Sequence, residues 1–306
     1  MDYQFIDLKR IFVYFICIND AIMARFFSFE EIRDNNLPRW QDYMDIGELI
    51  RNSIINERSV LAASFFGSFS LGTFSPPRSD MDILIITSYK RHLQAQKLLS
   101  HISQRAQEKQ VPVEFVSIRS NIAKQGLSTI GPLMLSHIRR TQERGVIKGD
   151  PTSYIKPSKN MQQEVFEYLT HKLSRLEKYP TLCMDERQKL LVLQKLIDSP
   201  IHATRKLLEL ALQNDNAELI NDSKIEVIRM SEQLQLPGLQ ILLSVYRAGQ
   251  HYDKWLKKNL GTVHRTQRSE YLEMLSDIYS LHPLVNRLLY LYIKFARKLI
   301  SGKNKD

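Results

Sequence analysis

Cysteine is nearly missing: the 306-residue chain has two, Cys17 and Cys183. Two thiols that far apart make neither a disulfide framework nor a cysteine-rich zinc site, so a reducing, cytoplasmic setting is the simpler expectation. Histidine is also thin. Eight are scattered, with no His-x-x-x-His and no Cys/His cluster, which removes the usual zinc motifs. Long apolar runs are absent. Ile11 to Ile18 spans eight residues where a membrane crossing takes about 20. Lys9 and Arg10 precede that run, but Asn19-Asp20 follow it without a small-x-small cleavage site, so it reads as a peripheral segment, with residues 1–22 ahead of Met23 a possible upstream start. Acidic residues are scarce toward the end. Residues 240–306 hold 12 basic and 5 acidic side chains, whereas residues 151–239 hold 12 of each, so most of the +10 net charge lies in the last fifth. Such a block suits an acidic partner or a solvated helix face.

What is present reads as an α+β protein: a small mixed sheet with flanking helices, then an all-helical bundle. Apolar residues from Trp40 to Asn56 recur at three and four, which predicts a helix. Ser59–Phe66 and Met81–Thr87 read as buried strands, with a Gly/Ser/Pro-rich loop and one helical turn between them. Residues 90–109 suit a crossover helix, and Val111–Ile118 a third strand. A Gly131-Pro132 break precedes a helix over 133–144, and Gly145 to Pro151 is a short extended piece. From Ser158 on, punctuation at Pro180, Ser199-Pro200, Pro237-Gly238, Gly261 and His282-Pro283 predicts five to seven helices. The leucine-rich face from Leu190 to Leu212 reads as core. The expected organisation is an N-terminal extension over 1–39, a catalytic domain over 40–155 and a helical domain over 156–306.

One constellation carries chemistry. Phe66-Gly67-Ser68 ends the first strand, and Asp80-Met81-Asp82 opens the second. Carboxylates at i and i+2 of a strand share a face, where like charges repel unless a cation lies between them. Magnesium suits such a pair, leaving positions for water and substrate phosphates. Gly67-Ser68 offers close backbone approach, N–H groups and a hydroxyl to a phosphate. Glu114, on the third strand, reaches the same face if that strand lies beside the second. Three carboxylates holding two metals suit in-line attack on a nucleoside triphosphate. Arg78 and Arg119 are further phosphate-contact candidates.

At these residues, GSFSLGTFSPPRSDMDILI followed by VPVEFVSI, the chain resembles the polymerase-β-like nucleotidyltransferase superfamily, and within it the small bacterial aminoglycoside and minimal nucleotidyltransferases. The resemblance covers about residues 40–155. It implies metal-holding roles for Asp80, Asp82 and Glu114, phosphate contacts for Gly67 and Ser68, two Mg2+ ions and a nucleoside triphosphate donor. It also implies that Glu114 acts as general base. Gly72-Thr73 resembles a pair seen in some polynucleotide- and cyclic-dinucleotide-making branches, but a turn residue followed by a cap is the simpler reading of these two positions. The acceptor is unassigned: the basic 240–306 stretch favours RNA or a protein, and a small molecule fits the size. Arg247 and His251 are one residue short of an Arg-x4–6-His nuclease spacing, which speaks against a second activity. A binding protein that uses the same fold without turnover is the alternative expectation.

Overall fold

The structure, a computed structural model, describes residues 25–72, 74–142, 144–179, 185–212, 224–260, 262–264 and 267–302. Cys17, Thr73, Pro180, Cys183, Gly261, Arg265 and the segment 1–22 lie outside the described residues. No described helix is long and apolar enough to cross a membrane.

Two compact units share the chain by alternating segments. The first takes residues 38–120 and 141–151, and the second takes 25–37, 121–140 and everything from 152. Residues 25–37 and 121–140 therefore fall with the helices, whereas the sequence reading assigns them to an extension and to the catalytic domain.

In the first unit, helix α2 (Trp40–Ile55) follows a shorter helix α1 (Phe29–Arg33), which belongs to the second unit. Strand β1 (Val60–Phe66), the five-residue helix α3 (Gly67–Leu71), strand β2 (Met81–Thr87), helix α4 (His92–Glu108) and strand β3 (Val113–Arg119) come next. Strand β4 (Val146–Lys148) closes the sheet, whose order is β3-β2-β1-β4. β1 runs antiparallel to β2 and β4, and β2 runs parallel to β3. A parallel pair needs a crossover, and α4 supplies it. The alternation of β2 sorts its residues by face: Met81, Ile83 and Ile85 pack with Tyr43, Ile46, Ile50 and Ile54 of α2 and with Ala95, Leu99 and Ile102 of α4. Asp82 falls on the opposite face. The buried apolar layer is thus what presents the carboxylate on the other side.

In the second unit, α5 (Ser120–Lys124) and α6 (Pro132–Thr141) precede α7 (Met161–Lys178), α8 (Glu186–Leu212), α9 (Lys224–Gln233), α10 (Leu239–Asn259), α11 (Arg268–Ser280) and α12 (His282–Gly302). Six described helices after residue 158 match the expected five to seven. The Leu190–Leu212 face is core, as its periodicity predicts.

The start of α6 is capped from a distance. The Glu164 carboxylate accepts from the Leu133 and Met134 N–H groups at 2.8 and 3.1 Å and pairs with Lys206 at 2.8 Å. One turn before the end of α6, His137 accepts from Arg205 at 2.7 Å through Nδ1. Burial, with Arg205 and Arg140 adding repulsion, holds the His137 pKa down to about 2, so this imidazole stays neutral.

One expectation is corrected. Pro200 does not break a helix but lies inside α8. A proline in a helix interior costs about 3 kcal/mol. Leu193, Leu196, Ile197, Ile201, Leu207 and Leu208 are all buried around it, and each contributes roughly 1.5–3 kcal/mol, so the helix continues. Thr204 adds a local tie, donating its hydroxyl to the Pro200 carbonyl at 2.7 Å.

The segment 25–37 is held by two distant tyrosines. The Phe27 N–H donates to the Tyr252 hydroxyl at 3.0 Å, and Tyr271 donates to the Phe27 carbonyl at 2.6 Å. Phe26, Phe27, Phe29 and Ile32 are buried in the helical core. Ser28 and Glu31 form a reciprocal capping box that starts α1.

Candidate active site

The parallel register of β2 and β3 places Asp82 directly beside Glu114. Asp80 lies just before β2, two residues from Asp82. One carboxylate oxygen from each of Asp80, Asp82 and Glu114 falls within 4.8 Å of the others. All three are partly buried. Partial burial and the negative charges of Asp80 and Glu114 together push the Asp82 pKa well above the usual carboxylate range, burial being the larger cause. Three hard oxygen donors this close, repelling one another, suit a divalent cation. The sequence-predicted carboxylates are thus brought together.

Gly67 meets Asp82 from the neighbouring strand, because Phe66 pairs with Asp82 across β1 and β2. Its φ of +71° favours glycine, and a Cβ there would stand 3.0 Å from Asp82 Oδ2. The close approach foreseen for Gly67 is therefore to the carboxylate. Its N–H, offered to a phosphate by the sequence reading, instead donates to Thr141 Oγ1 at 3.0 Å. Ser68 is partly exposed as the second residue of α3. Arg78 is half-buried in the turn before Asp80, where its amide donates to the Ser75 carbonyl at 3.1 Å. Arg119 is exposed at the end of β3.

Two positioning residues escaped the sequence reading. Thr141 is 2% exposed and holds the Gly67 turn. Tyr43, fully buried on α2, directs its hydroxyl to the Pro77 and Ser79 carbonyls at 2.9 and 2.6 Å, which fixes the loop that delivers Asp80. Tyr43 is legible only as a core position in the helical periodicity; nothing in the sequence marks Thr141. Replacing Thr141 by valine leaves the buried Gly67 N–H without its acceptor. Expected outcomes are a loss of about 1–3 kcal/mol in urea unfolding and about a tenfold drop in transfer rate, with Thr141→Ser restoring both.

The model of the nucleotidyltransferase domain family matches residues 50–147, a segment that takes in the Gly67-Ser68 turn and all three carboxylates. Over this segment the chain is similar to the nucleotidyltransferase domains of the polymerase-β-like superfamily. No curated protein matches the chain.

Proposed function

We propose that the protein is a Mg2+-dependent nucleotidyltransferase that moves a nucleoside monophosphate from a nucleoside triphosphate to an acceptor, with release of pyrophosphate. The observation that carries this reading is the meeting of Asp80, Asp82 and Glu114 beside the Gly67-Ser68 turn. Asp80 and Asp82 would hold the metal, two ions in the full complex, and Glu114 would complete the donor set. When bound, the ions supply positive charge at the triphosphate and lower the pKa of the attacking group.

Glu114 would also take the proton of the attacking hydroxyl. The Ser68 hydroxyl and amide, with Arg78, would bind the triphosphate. Thr141 orients the Gly67 turn, and Gly67 keeps the space in front of Asp82 clear. Residues 40–155 would serve as the catalytic domain and residues 156–306 would select the acceptor. The basic 240–306 stretch favours RNA or a protein as that acceptor.

The test is transfer of label from each α-labelled nucleoside triphosphate, with Mg2+, to the protein itself, to total RNA and to a panel of aminoglycosides. Label is expected on one acceptor class and absent with Asp82→Ala. Equal labelling by the variant would sink the assignment of the site.

A further inference from the structure

Two helices of the helical unit, α10 and α12, are rich in basic residues and poor in acidic ones. Between His282 and Gly302, helix α12 has no Asp or Glu. One side of it is core, with Val285, Leu288, Leu289, Tyr292 and Ala296 buried. The other side exposes Arg287, Lys294, Arg297 and Lys298. Two of these cations lie over aromatic rings: Lys294 Nζ is 4.6 Å from the Tyr290 ring centre, and the Arg297 guanidinium is 5.3 Å from that of Phe166.

Helix α10 repeats the pattern. At 3.6 residues per turn, Arg247, His251, Lys254 and Lys258 fall within an arc of about 60° along roughly 16 Å of helix. All four are exposed, and Lys257 lies beside them. Asp253, the single acidic residue of α10, falls outside that arc. The two helices pack together where Gly238, at the start of α10, meets Leu288 of α12.

None of these lysines and arginines is ion-paired among the described residues, whereas Arg205 and Arg140 on other helices pair with Glu209. Helix α11, by contrast, exposes Glu270, Glu273 and Asp277, and its one basic residue, Arg268, pairs with Glu30. A face that serves solubility alone mixes both signs; here they are segregated.

We infer that the exposed cations of α10 and α12 form a binding surface for the phosphodiester backbone of RNA. A ridge of unpaired cations at regular spacing suits a polymer with one charge per repeat. Tyr290, 51% exposed next to Lys294, adds a ring on which a base can stack. An anionic membrane is the poorer fit, because both helices already bury their apolar sides in the core. This inference deepens the transferase reading by naming the acceptor class; binding itself does not depend on that reading.

The test uses the full chain and a fluorescent 20-nucleotide single-stranded RNA of mixed sequence, with anisotropy read in EDTA from 50 to 300 mM KCl. Three variants are compared with the unchanged chain: Asp82→Ala, the triple Arg287→Gln/Lys294→Gln/Lys298→Gln, and the triple Lys254→Gln/Lys257→Gln/Lys258→Gln. Asp82→Ala is expected to bind undiminished. Each triple should weaken binding about tenfold or more at 100 mM salt and flatten the plot of log affinity against log salt by about 2, near 0.7 per lost contact. Circular dichroism melting should be unchanged, since every altered side chain is exposed. Affinity and slope unchanged in both triples would overturn the inference. So would equally tight binding of a glutamate-rich peptide of matched charge, which would assign the surface to an acidic protein. RNA binding retained without any transfer would count against the transferase reading and leave this one standing.

Discussion

Asp82→Asn is expected to abolish transfer and, in EDTA, to make the protein more stable. The activity loss follows from the donor set. A neutral amide is a poorer ligand than a carboxylate, and a bound metal supplies several kcal/mol of transition-state stabilisation, so a fall of about three orders of magnitude is expected. The stability gain follows from crowding. Folding moves Asp82 into a partly buried site beside Asp80 and Glu114 and raises its pKa. Over the pH range between its unfolded and folded pKa, the unfolded chain has released this proton and the folded chain retains it. Stability of the metal-free protein therefore falls as pH rises through that range. The Asp82→Asn chain has no proton to lose at this position, so its advantage grows with pH from the ordinary carboxylate range upward and then levels off above the folded pKa. Mg2+ is expected to reverse the ranking, by binding the folded state of the unchanged protein and raising its melting temperature with little effect on the variant. Thermal melts at several pH values, with EDTA and with Mg2+, read all three effects. An advantage that shrinks with rising pH would contradict the electrostatic account.

Gly145→Ala is expected to destabilise the fold by about 3 kcal/mol, near the upper end of overpacking penalties. A Cβ at Gly145 would lie 2.2 Å from the Phe65 carbonyl oxygen and 2.5 Å from Ser70 Oγ. The carbonyl belongs to β1 and cannot retreat without disturbing its pairing with β2. The Gly145 carbonyl also accepts the Phe65 N–H at 2.9 Å, so moving Gly145 away breaks that bond. Gly72→Ala is the control. Gly72 has a left-handed backbone, φ +70°, which Gly145 does not share, and no atom within 4 Å of the added carbon. Only conformational strain remains there, about 1 kcal/mol. Urea unfolding of the two variants separates steric contact from backbone strain, and equal losses would refute the contact argument.

The strands were legible because each is an apolar run closed by turn residues, and Asp82 stood out as a charge inside such a run. Glu114 was placed correctly because the parallel register depends on β2 and β3 being joined by a helix, which the polar, leucine-striped stretch over 90–109 announced. The site's supports were less visible. Thr141 contacts Gly67 across 74 positions of sequence, and no local pattern encodes such a meeting. Pro200 misled for a related reason, since local propensity was outweighed by the burial of its neighbours. The segment 25–37 carried a readable start signal in Ser28 and Glu31, but its destination depended on Tyr252 and Tyr271.

Those two tyrosines also set an order of events during synthesis. Phe27 leaves the ribosome before either partner is made, since they are 225 and 244 residues further on. At translation speeds of about 5–20 residues per second, the phenylalanine-rich segment waits roughly 10–50 s before its niche exists. Over that interval Phe26, Phe27 and Phe29 are an apolar stretch open to chaperones or to neighbouring nascent chains. The niche of residues 25–37 is thus closed only once α10 and α11 have been made.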